Sequence, residues 1–543
     1  VHPWHWACEG WRDHGESRTS ERAPGVPADR CGSASDPRND RPRLHGRGRP
    51  PARGRDEHQA SDGSGLLSGT APSARPSGSR PAHTYQRPHP QGSGEGHRRQ
   101  EEISLRAANR LPEQERATAP APGADPCKGG DGPGHLSDFH LFETFTANRV
   151  DNGLIDQLWF RLYIGVGRTN EALRRVNAIA DADYPKKAER QAELKFLRGH
   201  FYFLLKILFK YVPYLDETIA KEEYPKISNK ALSNEELWNK ITADFSAAAA
   251  GLPASQADAG RPDQYAAKAY LAKAQLYQAY VQDENHAVTS INQNLLNEVV
   301  KQCDAVINSG KYGLSEDYAE NFLSSTENGQ ESVFAIQYSK DDGTPMGRLD
   351  YGHALNYPMN QDYGCCGFNV PSHDLINSFK TDASGLPMFS SYNNNDVAAS
   401  LDFKTGSFDP RLDHTVAKPG APFKYKTDFI FERFWARAPA VYGAFASLKE
   451  AVTPNDPSFK KIPPFMSSAK NWQVIRYADV LLWKAEALIE LGRHLEAVPL
   501  INQLRTRSDR SKTLLVQADG SPTSNYNVKL YVPGVNCNWT QDY

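Results

Sequence analysis

The sequence lacks the short motifs that mark many enzymes. It contains no GxxxxGK[ST] phosphate loop, no HExxH zinc motif, no GxSxG nucleophile elbow and no calcium loop of the Dx[DN]xDG kind. Its 7 cysteines include no CxxC pair and no Cys/His spacing typical of zinc. Carboxylates occur throughout, but no spacing singles out a catalytic pair. We therefore predict no enzyme activity, no cofactor and no metal.

Long hydrophobic runs are also absent. No stretch of 18 apolar residues occurs, and the longest candidate, Phe201–Phe209, contains Lys206, so no segment is predicted to span a bilayer. A secretory signal and a lipobox are not readable, because Cys8 and Cys31 lack the apolar run that should precede such a cysteine. The net charge of -2 gives no reason to expect nucleic acid as a partner.

Residues 1–139 are poor in aliphatic side chains. They carry 19 Arg but only one Lys, two Val and one Ile, too little apolar surface to offset the entropy of ordering the chain. Their 20 basic residues are matched by 18 acidic ones, which argues against a nucleic-acid-binding arm. Two interpretations stay open: a disordered tail, or an out-of-frame translation of a GC-rich gene. We predict that 1–139 has no fold and that 140–543 is one mostly α-helical domain.

The segment Asn471–Ser508 predicts a helical hairpin. Two apolar stripes with helical spacing are separated by a turn at Gly492, and small alanines on the first stripe allow close approach of a partner helix. Such hairpins are the unit of tetratricopeptide-like solenoids. The stripe positions are Val474, Ala478, Leu481, Ala485 and Leu488, followed by Ala497, Leu500, Ile501 and Leu504.

Further helices are predicted before residue 310. Ser233 and Glu236 form a capping box for one of them. Gly165–Val166–Gly167 lies within a helical pattern and lacks the third glycine of a dinucleotide motif. Two helical pairs thus precede residue 310 and one follows residue 470. The remaining predicted helices span 148–180, 188–211, 265–281 and 295–309.

The segment 312–470 is a predicted loop-rich insertion between these pairs. It is rich in Gly, Pro, Asn, Asp and Tyr, with a short strand at Ser332–Tyr338. Long loops on a packed scaffold often carry function. Aromatic rings stack on sugar faces while neighbouring amides bind hydroxyls, so this insertion is the predicted ligand face. The candidate ligand residues are Asn356, Tyr357, Asn360, Tyr363 and Phe368.

Competing interpretations remain for several residues of the insertion. Any single tyrosine could instead pack the insertion against the helices. His353 and His373 are predicted to be solvent-exposed loop residues without a ligand role. A disulfide between the adjacent Cys365 and Cys366 is not expected, because it would close a strained ring.

Several motifs in a fixed order resemble the SusD/RagB family of nutrient-binding outer-membrane lipoproteins. The resemblance extends over about 148–543, and the matching motifs follow one another in the order usual for the family. It implies non-catalytic capture of a glycan or peptide, surface exposure through a lipid anchor, and a SusC-like TonB-dependent transporter as partner. The motifs are LYIGVGRTNEALRRV, AExKFLRGxFYFxL, ESVFAIQYS, GCCGFNVPSHDLINSFKTD, GLP, DPRL and IRYADVLLxxAEAL.

The chain departs from the family at both ends. Its N-terminus is aberrant, and the family normally continues beyond the point where this chain stops, with further helices. Ligand residues vary within the family, so none is carried over. The alternative function is a tetratricopeptide-type scaffold that docks protein partners, which would not need a long insertion rich in Tyr and Asn.

Overall fold

The computed structural model describes residues 152–344, 347–462 and 465–537, together with the backbone of Lys128–Gly129. All of these belong to one compact unit. The segment predicted to lack a fold, 1–139, lies outside the described residues except for that dipeptide. Lys128–Gly129 forms a short strand, β1, antiparallel to Val370–Pro371.

Five helices form the first part of the structure, and each packs on the next along the chain. Side-chain caps fix their starts: Asn152 accepts a hydrogen bond from the backbone N–H of Leu154 at 3.0 Å, and the predicted capping box of Ser233 and Glu236 is present. The predicted helices are confirmed, except that 148–151 lie outside the described residues and that Tyr280 and Val281 belong to a strand. They are α1 (Gly153–Ala178), α2 (Lys187–Phe209), α3 (Asn234–Gly251), α4 (Gln264–Ala279) and α5 (Gln293–Ile307).

The insertion is built from short elements with irregular connections. Before the insertion, a hairpin of β2 (Tyr280–Gln282) and β3 (Val288–Ile291) connects α4 to α5. Two-residue and four- to five-residue strands then alternate with single helical turns. They are β4 (Ser332–Ile336), β5 (Val370–Pro371), α6 (His373–Ser378), β6 (Lys380–Thr381), α7 (Val397–Ser400), β7 (Ser407–Phe408), α8 (Arg411–Thr415), β8 (Val416–Ala417), β9 (Pro422–Phe423), β10 (Lys426–Ile430), α9 (Pro439–Tyr442), β11 (Ala446–Ser447), β12 (Phe459–Ile462) and β13 (Phe465–Ser468).

The chain returns to the helices through β14 (Trp472–Arg476), which pairs antiparallel with β4. The helical hairpin then follows as α10 (Tyr477–Glu490) and α11 (His494–Arg510), with Gly492 at positive φ in the turn. The hairpin is confirmed, but the placement of Val474 on its first helix is wrong. Val474 belongs to β14, where its neighbours Gln473 and Ile475 pair with Ala335 and Phe334 of β4.

The helices form one continuous stack although the insertion interrupts them in sequence. Helix α10 packs against α5, so the final hairpin resumes the array where the fifth helix ended. The main apolar core of these helices runs from Leu162 to Leu504 and includes Phe196, Phe245 and Tyr270. We call these seven helices the helical stack.

The insertion has two apolar cores of its own. The first contains Tyr357, Tyr363, Phe423, Phe431 and Trp435. The second gathers smaller elements around α6 and α8, with the buried side chains of Val370, Ile376, Phe403, Phe408, Leu412, Val416 and Phe445. The insertion is therefore a packed body that rests on the helical stack.

Candidate ligand-binding face

Two of the predicted ligand residues lie inside the first insertion core. Tyr363 is 0% and Tyr357 1% exposed, and their ring centroids are 5.1 Å apart. The Tyr363 hydroxyl donates to the carbonyl oxygen of Val452 at 2.8 Å. Neither ring presents a face on which a sugar can stack. The prediction of a stacking platform at these two tyrosines is therefore wrong, and the packing interpretation describes them.

Two predicted amides hold the backbone of the same loop. Asn356 is buried and its side-chain oxygen accepts a hydrogen bond from the Asn369 amide. The Asn360 oxygen accepts from the backbone N–H groups of Asp362 and Tyr363, at 3.0 and 2.9 Å. Both amides therefore help to fix the conformation of the loop that carries Phe368.

Among the predicted aromatic residues, Phe368 is the one that is not fully buried. Its ring is half-buried, and the guanidinium carbon of Arg437 lies 4.2 Å from the ring centroid. Arg437 also donates from Nη1 to the carbonyl oxygen of Cys366 at 3.0 Å. A guanidinium over an aromatic face is an attractive, pre-organised arrangement. Phe368 and Arg437 thus form one stacked unit.

The segment after β10, which contains Arg437, also carries exposed apolar side chains. Phe434 is 69% and Val441 66% exposed, whereas the neighbouring Trp435 is buried. The backbone N–H of Met359 donates to the carbonyl oxygen of Trp435 at 2.7 Å, which joins this loop to the one that carries Phe368. We call Phe368, His373, Phe434, Arg437 and Val441 the insertion face.

Sequence reasoning missed Phe434 and Arg437. The segment Phe431–Arg437, FERFWAR, alternates aromatic and charged side chains, and this alternation was the available signal. It does not reveal which of Phe431, Phe434 and Trp435 is exposed. Only the packing of the first insertion core against two of them leaves Phe434 facing solvent.

Polar side chains surround His373, a member of the insertion face. His373 Nδ1 lies 2.8 Å from a carboxylate oxygen of Asp396, with both side chains 40% exposed. The Asp374 carboxylate accepts from the Tyr392 hydroxyl at 3.0 Å. A Cβ built on Gly443 would lie 3.1 Å from His373 Nε2, so the loop after α9 runs directly beside that histidine.

His353 differs from its prediction as an exposed loop residue. It is buried, with Nδ1 2.6 Å from a carboxylate oxygen of Asp350. Burial opposes protonation, but Asp350 and Glu450 outweigh it and raise the pKa of His353. The Asp350 carboxylate also accepts a hydrogen bond from the backbone N–H of Gly352 at 3.1 Å, which caps the helical turn that ends at Asn356.

A disulfide joins Cys365 to Cys366, against the sequence-based expectation. Cys366 is 4% exposed and Cys365 is half-buried against the first insertion core. Glycines flank the pair, and both Gly364 and Gly367 adopt positive φ. The disulfide therefore lies at the base of the loop that positions Phe368.

The described residues contain no group of three or more His, Cys, Asp or Glu side chains placed to hold a metal ion. Within the same part of the chain, no helix has the length and apolar character needed to cross a membrane.

The fold is of the class in which a stack of helical hairpins carries one large packed insertion. Residues 330–526 match the model of the SusD family, and residues 136–276 match a model described as starch-binding and associating with the outer membrane. The chain belongs to the SusD/RagB family.

Individual relatives agree with this assignment. The SusD-like protein P2 of Formosa agariphila is 24% identical over 368 residues, which cover 66% of this chain and 63% of that protein. The match thus spans less than two thirds of the relative's length. A SusD-like protein of Bacteroides fragilis has a TM-score of 0.57 at 21% identity, over 77% of this chain and 79% of that one. A SusD-like carbohydrate binding protein of the same species has a TM-score of 0.55 at 23% identity, over 75% and 78%.

Proposed function

We propose that this protein is a non-catalytic glycan-binding protein of the outer membrane, and that it delivers its ligand to a SusC-like TonB-dependent transporter. The observation that carries the proposal is the insertion face, where Arg437 stacks on Phe368 and comes three residues after Phe434, which is 69% exposed. Family membership and the carbohydrate-binding character named for a relative of the same fold support it. Lipid anchoring at the cell surface and the transporter partner are proposed from family membership.

The chemistry of the insertion face suits a sugar chain. An exposed aromatic ring offers a flat apolar surface to the C–H face of a pyranose. The guanidinium of Arg437 adds N–H groups, the kind of donor that hydroxyl oxygens accept from. The neighbouring His373 and Asp374 add polar groups at the edge of this surface. An apolar platform with a few polar groups around it can bind a sugar chain, and this binding requires no reacting group.

Replacing Phe434 with Ala should weaken glycan binding. Loss of one stacking platform costs about 1 kcal/mol, or roughly a fivefold increase in Kd. Isothermal titration calorimetry against a panel of α- and β-glucan oligosaccharides would first identify a ligand and then compare the variants. Product analysis of the same mixtures should detect no cleavage of the glycan.

The matched control is Phe160→Ala. Phe160 is 62% exposed on α1, in the helical stack, and so resembles Phe434 in type and exposure but not in place. We expect wild-type affinity from this variant. Equal weakening by both substitutions, or none by Phe434→Ala, would place the site away from the insertion face. A variant lacking the insertion that still captures protein partners would favour the scaffold function instead.

A further inference from the structure

The Cys365–Cys366 disulfide lies in the insertion, against the edge of its first apolar core. Its position is informative because Phe368 comes only three residues after Cys365 in the chain. The carbonyl oxygen of Cys366 itself accepts a hydrogen bond from Arg437 at 3.0 Å. The pair thus contacts directly one of the two side chains that make the stacked unit of the insertion face.

The loop around the disulfide is closely fitted to Arg437. A Cβ built on Gly367 would lie 3.0 Å from the Arg437 Cβ and 3.2 Å from its backbone nitrogen. The backbone N–H groups of Gly367 and Phe368 donate to the carbonyl oxygens of Tyr357 and Leu355, both at 2.8 Å. Small changes in the path of 365–367 therefore move Phe368 relative to Arg437.

We propose that the Cys365–Cys366 disulfide is a positioning element of the ligand site, and that its reduction lowers glycan affinity by releasing the Phe368–Arg437 unit. The inference rests on the proposed function. A covalent link between the two side chains restricts the loop conformations available before the ligand binds, so less ordering remains to be done on binding. Opening the disulfide restores that freedom. The backbone hydrogen bonds from Gly367 and Phe368 to Tyr357 and Leu355 stay in place.

The location also suits a redox-responsive element. Cys365 is half-buried, whereas Cys366 is 4% exposed, so Cys365 is the more exposed residue of the pair. Reduction by a phosphine breaks the S–S bond and gives two thiols, while the phosphine takes oxygen from water and becomes a phosphine oxide. The surface location proposed for this family is an oxidising one, in which the disulfide form persists.

The test uses the α- or β-glucan oligosaccharide that binds most tightly in the calorimetric panel. It compares the Kd for this oligosaccharide before and after treatment with a water-soluble phosphine. Alkylation and mass spectrometry of the peptide containing 365–366 report whether the disulfide is closed or open. We expect a roughly fivefold increase in Kd on reduction, recovery of the Kd on reoxidation with glutathione disulfide, and an unchanged Tm of the helical signal. The Cys365→Ser/Cys366→Ser double variant should have the weaker Kd from the start and should not respond to the phosphine, although it retains Cys303.

Three results would overturn the inference. A disulfide proven open by alkylation with an unchanged Kd would show that it does not position the site. A fall in Tm parallel to the loss of affinity would assign it a purely structural role. Detection of free Cys365 and Cys366 thiols in the untreated protein would show that the disulfide does not form. Failure of the oxidised protein to bind any glycan would instead reject the proposed function, and this inference with it.

Discussion

The side chain of Tyr363 lies among aromatic rings of the first insertion core, with the ring centroids of Phe459, Phe423 and Phe429 at 5.7, 6.0 and 6.3 Å. Its hydroxyl is satisfied by the carbonyl oxygen of Val452. Edge-to-face contacts of this kind add to the free energy of burying each ring. At the scale of single residues, Tyr363 contributes to stability, whereas the exposed Phe434 is available for binding.

This difference predicts opposite behaviour for two aromatic substitutions. Tyr363→Ala should lower the free energy of unfolding by roughly 3–5 kcal/mol, as large-to-small changes in cores do. Phe434→Ala should leave it within about 0.5 kcal/mol of wild type. Urea-induced unfolding followed by circular dichroism measures both.

Tyr363→Phe separates the two parts of the Tyr363 contribution. It retains the ring and removes the donor to Val452, so we expect a loss of about 1 kcal/mol. A Tyr363→Ala variant as stable as wild type would mean that the first insertion core does not contribute to the measured unfolding transition.

At the scale of elements, the close packing of α1 on α2 depends on a glycine. A Cβ built on Gly165 would lie 2.6 Å from ring atoms of Phe201, which is 2% exposed and has little room to move. A Cβ built on Gly167, in the same helix, would meet no atom within 4 Å. Gly165 therefore serves helix packing, and Gly167 does not.

The two glycines form a matched pair for mutation. Gly165→Ala should destabilise the protein by about 1–3 kcal/mol, because the added methyl overpacks the contact with Phe201. Gly167→Ala should stabilise it by about 0.5–1 kcal/mol, because alanine favours a helix over glycine. Thermal unfolding of both variants shows whether each substitution raises or lowers the Tm. Stabilisation by both would mean that Phe201 can shift without cost.

At the scale of the whole molecule, buried charges connect the insertion to the helical stack. Glu331, just before β4, accepts from Arg507 of α11 at 2.7 Å and from Arg476 of β14 at 3.3 Å. Asp409 of the insertion accepts from the Ser508 hydroxyl of α11 at 2.6 Å and from the guanidinium of Arg411. These contacts join residues far apart in sequence and fix the insertion on the final helix.

Asp409 gives this connection a pH dependence. Its burial would raise the pKa, but Arg411 and Ser508 outweigh the burial and lower the pKa of Asp409 to about 2. The folded protein therefore holds the proton more weakly than the unfolded chain does. This contribution is fully present above about pH 4 and is lost as the pH falls from about 4 to about 2, with a magnitude of ~2 kcal/mol.

Asp409→Asn should remove that contribution. We expect the variant to be less stable than wild type by ~2 kcal/mol at pH 7, with the difference narrowing below pH 4. Urea unfolding between pH 2.5 and 7 provides the comparison. A constant difference across this range would show that the loss comes from hydrogen bonding alone and not from the ionised carboxylate.

The helical part of the fold was predictable because its signals are local. The apolar spacing in α1 to α5 and in α10 and α11, the Ser233 capping box and the Gly492 turn all report conformations that the chain adopts over a few residues. The family resemblance was readable for a related reason, since its landmarks are short segments in a fixed order. These features predicted a mostly α-helical protein that resembles the SusD/RagB family, and the comparisons support this assignment.

The tertiary structure alone decided which side chains of the insertion are available to a ligand. In the sequence Tyr357, Tyr363, Phe368 and Phe434 are equivalent aromatic residues near polar ones, and periodicity cannot separate them in a segment without regular elements. Burial separates them because it depends on partners such as Phe423 and Val452, which lie tens of residues away. Pairing with the distant β4 likewise made Val474 part of a strand, and the fold of 359–369 brought Arg437 onto Phe368. Long-range contacts of this kind are properties of the packed molecule, so no local pattern in the chain contains them.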